Sequence, residues 1–457
     1  MENIAEILQL APADAVKKLK SKAFTPPAWS DLVKEYDPAQ HPVTNKSKYP
    51  DKVTPDGHIE EVTRITLNYQ QLATKRMSEL VCGIPIKRIY SPEDDKQREA
   101  SECLEAIFQR NRIDSVNIER CNALFSGCEI LTLWYPTEES NNLYGFDSDY
   151  KIRCQTYSPR EGAQLYPLFS EGDLIALSIE TTRTEDRDDV RYLDTYTRDK
   201  HITYREGKGG WQVAKEEPIK LGKIPAIYCM RPTPIWEDTS RLVYEMEWAL
   251  SRNGNYLRKN SKPIFAVFAD EEVYFGDEKS ENKEYRAVVQ YPKGSTAGYL
   301  TWSQAIDSLK FYIAELRQSF FTQLQLPDWS YESMKSTPMS GESRKQLFID
   351  AQLKVTEESG RLLEFYDREV SVVKAFLAML RPNLADAIEA LPVEVVITPY
   401  QITEQRDTIT ELLAANGNKP LISHRESIEQ LGWSTNASDT LEEIQQESTL
   451  SAYEIAE

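Results

Sequence analysis

Only four of the 457 residues are histidine, His41, His58, His201 and His424, and no two of them stand at a metal-ligand spacing. This argues against a zinc or general-base site built on histidine. The six cysteines, Cys82, Cys103, Cys121, Cys128, Cys154 and Cys229, include no C-x-x-C pair, which speaks against a zinc knuckle, a thioredoxin motif or a disulfide framework. Buried free thiols are the ordinary reading. Long apolar runs are missing too. The most apolar one, Val370 to Leu380, is interrupted by Lys374 and falls short of the ~18 residues that a membrane-spanning helix needs. The first residues, Met1-Glu2-Asn3-Ile4-Ala5-Glu6, carry acid where a secretory leader carries base, so the expectation is a soluble chain that stays in the cytoplasm where it is made, with no membrane partner.

Nucleotide and hydrolase motifs are also absent. Gly207-Lys208-Gly209-Gly210 and Gly222-Lys223-Ile224 lack both the spacing of a phosphate-binding loop and the Ser/Thr that would hold magnesium. There is no G-x-G-x-x-G after a strand, no G-x-S-x-G elbow and no H-E-x-x-H. Carboxylate pairs such as Asp94-Asp95 and Asp147-Ser148-Asp149 are unavoidable among 73 acids and specify nothing by themselves. A carboxylate-dependent hydrolase therefore stays as an alternative that only a pocket could support. The positive reading is a protein that is not an enzyme, with no catalytic residue, no cofactor and no metal.

Basic charge is the side in deficit: 54 Lys and Arg face 73 Asp and Glu, a formal charge of −19. Tight, non-specific nucleic-acid binding relies on concentrated cations that displace counterions, and no such stripe exists here, so any contact with a duplex should be loose. At 40 % hydrophobic and 10 % aromatic the composition is that of a folded protein, and the length suggests more than one domain.

Residues 1–55 are rich in Pro, Lys and Ser and poor in periodicity, which reads as an extended arm. From His58 the apolar positions Ile59, Val62, Ile65, Tyr69, Leu72 and Leu80 fall mostly at helical steps up to Gly83. A second helix spans about 96–111, and Asp114 is placed to cap a third that runs to Gly127. Then come strands: 129–135, 174–181, 190–196, 201–204 and 224–229, with Glu185-Asp186-Arg187-Asp188-Asp189 as a solvated hairpin tip. Asp238 is placed to cap a helix of about 23 residues, or ~35 Å, that ends before Pro263. Three short alternating runs follow, 264–268, 273–275 and 285–291. Thr301 and Gln304 form a capping box for a helix that Pro327 stops.

A segment without helical period, 328–339, precedes Ser340-Gly341-Glu342, where the longest helix opens; it covers about 40 residues, or ~60 Å, to Pro382, with Gly360 as a point of bending. A strand at 393–397 and helices near 403–416, 423–431 and 439–453 complete the chain. The fold class is α+β.

The order of these pieces carries a resemblance. A helical part with Asn111-Arg112 and Ala123-Leu124-Phe125-Ser126-Gly127 leads into strands, and a helix with Asn253-Gly254-Asn255 precedes a small insertion. A second helix returns to Leu326-Pro327-Asp328, and Ser340-Gly341-Glu342-Ser343-Arg344-Lys345 opens the long helix. Ile402-Thr403-Glu404 and the acidic Leu441-Glu442-Glu443-Ile444-Gln445-Gln446-Glu447 close the chain. From about His58 onward this resembles the portal proteins of tailed bacteriophages, of the type described from Gram-positive siphophages.

The resemblance implies a portal-type fold: an N-terminal arm (1–55), an α/β wing (56–237), stem helices at 238–261 and 301–326, and a small β-containing clip (262–300). A tunnel loop (327–340), a long kinked tunnel helix (341–381), a wing strand (382–399) and a small helical crown (400–457) follow. It implies a ring, typically of a dozen copies, at the unique capsid vertex of the virion, assembled in the host cytoplasm. Double-stranded DNA enters and leaves through that ring, and its partners are the terminase large subunit, the head-to-tail adaptor and the major capsid and scaffolding proteins. The short clip and crown depart from the family pattern at the surfaces those partners use. A virion scaffold or adaptor without a channel is the other alternative.

By the same resemblance, Trp329, Tyr331, Met334, Lys335 and Met339 face the DNA, and Ser340, Gly341 and Gly360 shape the tunnel helix. Lys335 is the loop's one cation; its ordinary role is an ion pair with Glu332 or Glu342, and around a ring it would centre the duplex. Leu242, Met246, Leu250, Ile306, Leu309, Ile313 and Leu316 form the stem packing. In a monomer these are plain core, and in a ring some also meet the next copy. An acidic ring suits a channel through which DNA must slide.

Overall fold

The computed structural model describes residues 4–446 apart from 23, 54–56, 186, 261–263, 269–273, 280–284, 291–295, 301–305, 329–347, 401–404, 418–419 and 432–439. The helices are α1 (Ile4–Leu8), α2 (Pro12–Leu19), α3 (Trp29–Tyr36), α4 (Tyr69–Cys82), α5 (Asp95–Arg110), α6 (Ile113–Gly127), α7 (Ser240–Asn260), α8 (Ile306–Leu324), α9 (Ile349–Leu380), α10 (Ala385–Ala390), α11 (Gln405–Ala415) and α12 (His424–Leu431). Residues 440–446 are also helical.

The first two strands, β1 (Lys52–Val53) and β2 (Ile59–Glu60), form a minimal ribbon, and β3 (Lys87–Tyr90) pairs far along the chain with β16 (Val393–Val396). A three-stranded sheet runs in the order β11 (Ala226–Met230), β4 (Glu129–Asn141), β5 (Ser148–Tyr157). A five-stranded antiparallel meander carries β6 (Gln164–Ser170), β7 (Asp173–Glu185), β8 (Asp188–Tyr196), β9 (Lys200–Gly207) and β10 (Gly210–Pro218). Between α7 and α8, β12 (Ile264–Phe268) pairs with β15 (Thr296–Leu300), and β13 (Tyr274–Lys279) with β14 (Tyr285–Gln290). The architecture is α+β, as the sequence pattern indicates.

The spine is α9. Its apolar stripe, Ala351, Val355, Leu362, Phe365, Tyr366, Val370, Val373, Phe376 and Leu377, is buried in a core shared with α4, α5, α6, α7, α8, β4 and α10. Burying each large apolar side chain contributes about 1.5–3 kcal/mol relative to leaving it in water. The same stripe carries two acids, Glu358 and Glu369, three turns apart. Glu358 takes a bidentate pair from Arg231 at 2.7 and 3.1 Å, while Glu369 accepts from Arg120 at 2.7 Å and from Trp134 Nε1 at 3.0 Å. Arg231 engages both oxygens of Glu358, whereas Glu369 takes both of its bonds on Oε1 and leaves Oε2 buried without a hydrogen-bond partner. In each case the guanidinium supplied from the sheets or α6 is what permits a charge to be buried. The helix passes through Gly360 without a break, and a Cβ there would meet nothing within 4 Å.

Several sequence expectations change in the folded chain. The described residues between 4 and 53 are not an extended arm: α1 and α2 lay Ile7, Ala15, Val16 and Leu19 on the five-stranded sheet, and α3 buries Leu32 in the main core. Their helical period is masked in the sequence by the prolines between them. The helix read from His58 starts at Tyr69, and Asp114 sits in the first turn of α6, whose cap position is Arg112 in the left-handed region (φ 51). Asp238, expected as a cap, is likewise left-handed (φ 65), two residues before α7 opens. The β insertion has a fourth strand, β15, beyond the three runs read from alternation. The Thr301 capping box lies outside the described residues. Other expectations hold. The second helix is present as α5, β7 and β8 meet at the acidic tip, and a helix follows Ser423. The structure adds the caps: Asp94 accepts from the Gln97 amide at 2.7 Å, and Ser423 and Glu426 form a reciprocal capping box at α12.

Candidate functional site

Because β12 pairs with β15, the chain leaves the body along α7 and returns along α8. Tyr312 on α8 donates to Glu245 on α7 at 2.9 Å and ties the two together. At the body end of α8, Phe320, Phe321, Leu324 and Leu326 are buried, with Phe320 tilted against Tyr69 and Phe321 edge-on to it at ring separations of 5.1 and 6.0 Å.

The backbone then turns into a short charged clasp. Arg76 of α4 donates to the Pro327 carbonyl at 2.7 Å and lies 3.8 Å from Asp328, and Arg317 pairs with Asp328 at 2.7 Å. Burial lowers the pKa of Arg76 and Asp328 opposes that shift, and the guanidinium lies over the Phe321 ring, 4.9 Å from its centroid. Residue 348, where the described chain resumes, is a buried Phe at the head of α9. A cleft of about 710 Å³ between these two anchor points is lined by Ile313, Arg317, Phe321, Leu326, Asp328 and Asp350. The described residues on either side, Asp328 and Phe348, are therefore fixed to the body, one by an ion-pair clasp and one by an apolar plug.

A second device holds the root of α7. Residues 63–67 run extended and antiparallel along the helix, and three alternate amides donate to three of its side chains. Thr63 N–H reaches Asn255 Oδ1 (2.6 Å), Ile65 N–H reaches Ser251 Oγ (2.8 Å), and Leu67 N–H reaches Glu247 Oε1 (2.7 Å). Two extended residues advance about 6.6 Å and four helical residues about 6 Å, so the two periods match over this length. Gly254 lets the strap approach, since a Cβ there would lie 3.0 Å from Thr63 Cγ2. Below the strap, Arg64 donates to Asp51 at 2.7 Å, and the Val62 amide and that guanidinium hold the Asp51 carboxyl down at about 2.

The family model described as "Phage portal protein, SPP1 Gp6-like" matches residues 33–451. The chain belongs to this phage portal family. Curated proteins give no match. Among solved structures it is similar to a chain of the virion of a native gene transfer agent particle, at 10 % identity and TM-score 0.39, covering 92 % of this chain and 98 % of that one. It is also similar to a chain of the neck of the native particle computed with C12 symmetry, at 10 % identity and TM-score 0.40, covering 91 % and 96 %. Likeness at this level fixes no arrangement of subunits.

Of the expected stem residues, Met246 is buried, and Leu242 and Leu316 pack half-buried against the main core of this portal-family chain. Leu250, Leu309 and Ile313 are half-buried, and Ile306 opens α8 with a side chain outside the described set. The expected loop residues Trp329, Tyr331, Met334, Lys335 and Met339, and the helix openers Ser340 and Gly341, lie outside the described residues. Sequence reading missed Arg76 and Arg317 as anchors and the acceptor row Glu247, Ser251 and Asn255. That row was visible as a polar stripe at four-residue spacing on the flank of the apolar one. Among the described residues no group of three or more His, Cys, Asp or Glu could hold a metal ion, and no helix is long and apolar enough to cross a membrane.

Proposed function

We propose that copies of this chain close into a ring, typically of a dozen subunits, at the unique capsid vertex. That ring is a channel for double-stranded DNA during packaging and ejection and the platform on which the terminase motor and the head-to-tail adaptor dock. The observation that carries this reading is membership of the phage portal family over residues 33–451. The physical character of the chain supports it. A formal charge of −19 per copy disfavours a tight grip on phosphates, and sliding requires low affinity.

In this reading α7 and α8 are the stem, β12 to β15 the clip, and segment 327–340 the tunnel loop, held at its start by Arg76 and Arg317 through Pro327 and Asp328. Lys335 contributes one cation per copy, too weak to hold a duplex and enough around a ring to centre it. Assembly takes place in the host cytoplasm and the product is a virion component, with the major capsid and scaffolding proteins as further neighbours. The test is mass photometry of the purified full-length protein, then electron-microscopic class averages viewed down the symmetry axis. A ring with a bore that admits B-form DNA is expected. A monomer or dimer with a deep acidic cavity, or an assembly with no axial hole, would overturn it.

A further inference from the structure

Helices α4 and α6 lie side by side in the main core and bring two cysteines together: Cys82 Sγ and Cys121 Sγ are 3.0 Å apart, and both side chains are buried. Cys82 also points its thiol at the Asn117 carbonyl, at 3.7 Å. The two stand 39 positions apart in sequence, so the helix packing, and no local motif, makes the pair. We propose that Cys82 and Cys121 are a redox pair that closes to a disulfide between α4 and α6 when the protein meets a small oxidant such as hydrogen peroxide.

The step balances without any other group. One thiolate attacks a peroxide oxygen, giving a sulfenic acid and releasing hydroxide, which takes up a proton to become water. The second thiol's sulfur then attacks the sulfenic sulfur, the S–S bond forms, and a second water leaves with the oxygen. Two thiols are oxidised by two electrons and one peroxide is reduced. The sulfurs must close by about 1 Å to reach the bonding distance of ~2.05 Å.

Burial decides both selectivity and timing. Bulky disulfides such as oxidised glutathione cannot reach the pair, whereas a peroxide molecule is hardly larger than water. The hydrogen bond to Cys82, followed by burial, holds the Cys121 thiol well above the usual range, so the nucleophilic thiolate is scarce near neutral pH and the reaction accelerates as pH rises. Inside a reducing cell the pair stays open, and outside the cell it closes. That timing rests on the portal reading above, whereas the chemistry of the pair does not. Closure would lock α4 to α6 behind Tyr366 of α9 and restrict the unfolded chain between residues 82 and 121.

The test treats the purified, fully reduced protein with hydrogen peroxide, quenches it in denaturant with an alkylating reagent, and maps the peptides by mass spectrometry without reduction. The expected result is a bridged Cys82–Cys121 peptide with the loss of two hydrogens, formed faster as pH is raised. It should be accompanied by a higher urea midpoint that a thiol reductant reverses. Cys82→Ser and Cys121→Ser should each abolish the bridge, and Cys82→Ala serves where the serine disturbs folding. Full alkylation of both thiols after oxidation, a bridge from Cys121 to Cys229 instead, or sulfinic acid without a bridge would overturn the proposal. None of these outcomes bears on whether the protein forms a ring.

Discussion

His41 Nδ1 lies 2.6 Å from Glu247 Oε1, with 206 positions between them in the chain and both side chains fully buried. The other ring nitrogen faces the Glu35 carbonyl at 2.7 Å, so each nitrogen has an oxygen partner, an arrangement that favours the protonated ring. Tyr244 packs against the ring edge, and Asp37 adds a further negative charge. Burial works against the charged ring, while Glu247, the Glu35 carbonyl and Asp37 outweigh it and raise the pKa above 6.5. The bond staples the turn after α3 to α7 at the carboxylate that also ends the strap on Leu67.

The pH dependence follows from the sign of that shift. A histidine whose pKa is raised by folding stabilises fully below its unfolded value and loses that contribution as pH climbs through the folded one. Wild-type unfolding midpoints should therefore fall as pH is raised from 6 into the alkaline range, and His41→Gln should flatten that slope. Breaking a buried pair costs about 3–5 kcal/mol, so the variant should also be markedly weaker at pH 6. Urea titrations at stepped pH check both, and identical slopes would refute the assignment.

The strap on α7 can be cut one rung at a time. Ser251→Ala and Asn255→Ala each strand one backbone N–H, at a cost of about 1–3 kcal/mol apiece. The expected readout is faster amide exchange confined to residues 63–67, with the rest of the core unchanged. A bulky side chain at Gly254 should give the same local loosening by pushing Thr63 away.

Glu369 and Glu358 differ from surface acids. Glu369→Ala leaves Arg120 buried without its anionic partner, with only the Asn117 Oδ1 acceptor at 2.9 Å, and should destabilise by about 3–5 kcal/mol. Glu369→Gln keeps an acceptor for Trp134 Nε1 and should cost less. Denaturant midpoints of the two variants, compared with Glu364→Ala at an exposed pair on the same helix, measure the difference.

Asp328 sits in a partly exposed clasp, so Asp328→Asn should change global stability by about 0–1 kcal/mol while loosening the start of segment 329–347. In the proposed channel that variant and Lys335→Ala should both lower the yield of packaged DNA without altering ring formation. Normal packaging with Lys335→Ala would count against a centring role.

Much of the architecture was legible in the chain order: the long helix from its stripe, the antiparallel meander from alternation and turn residues, the two helices around a β insertion from their apolar positions and the prolines that follow them. Family membership was legible for the same reason, because the order and spacing of elements persist where single motifs are soft. Segment 58–68 was misread because Ile59, Val62, Ile65 and Tyr69 fit a helical period, while the hydrogen bonds that hold residues 63–67 extended come from α7, nearly 200 residues away. No local pattern reports an acceptor that distant.

The same division runs through the whole protein. Sequence by itself determined composition, charge, the periodicity of the elements and the absence of nucleotide and histidine-metal motifs, since each is a property of neighbours along the chain. Only the tertiary structure decided that His41 meets Glu247, that Cys82 touches Cys121, that Arg120 and Arg231 neutralise α9, and that Arg76 and Arg317 close on Asp328. Each of these depends on desolvation, and a charge or thiol acquires its properties from the groups packed around it after folding.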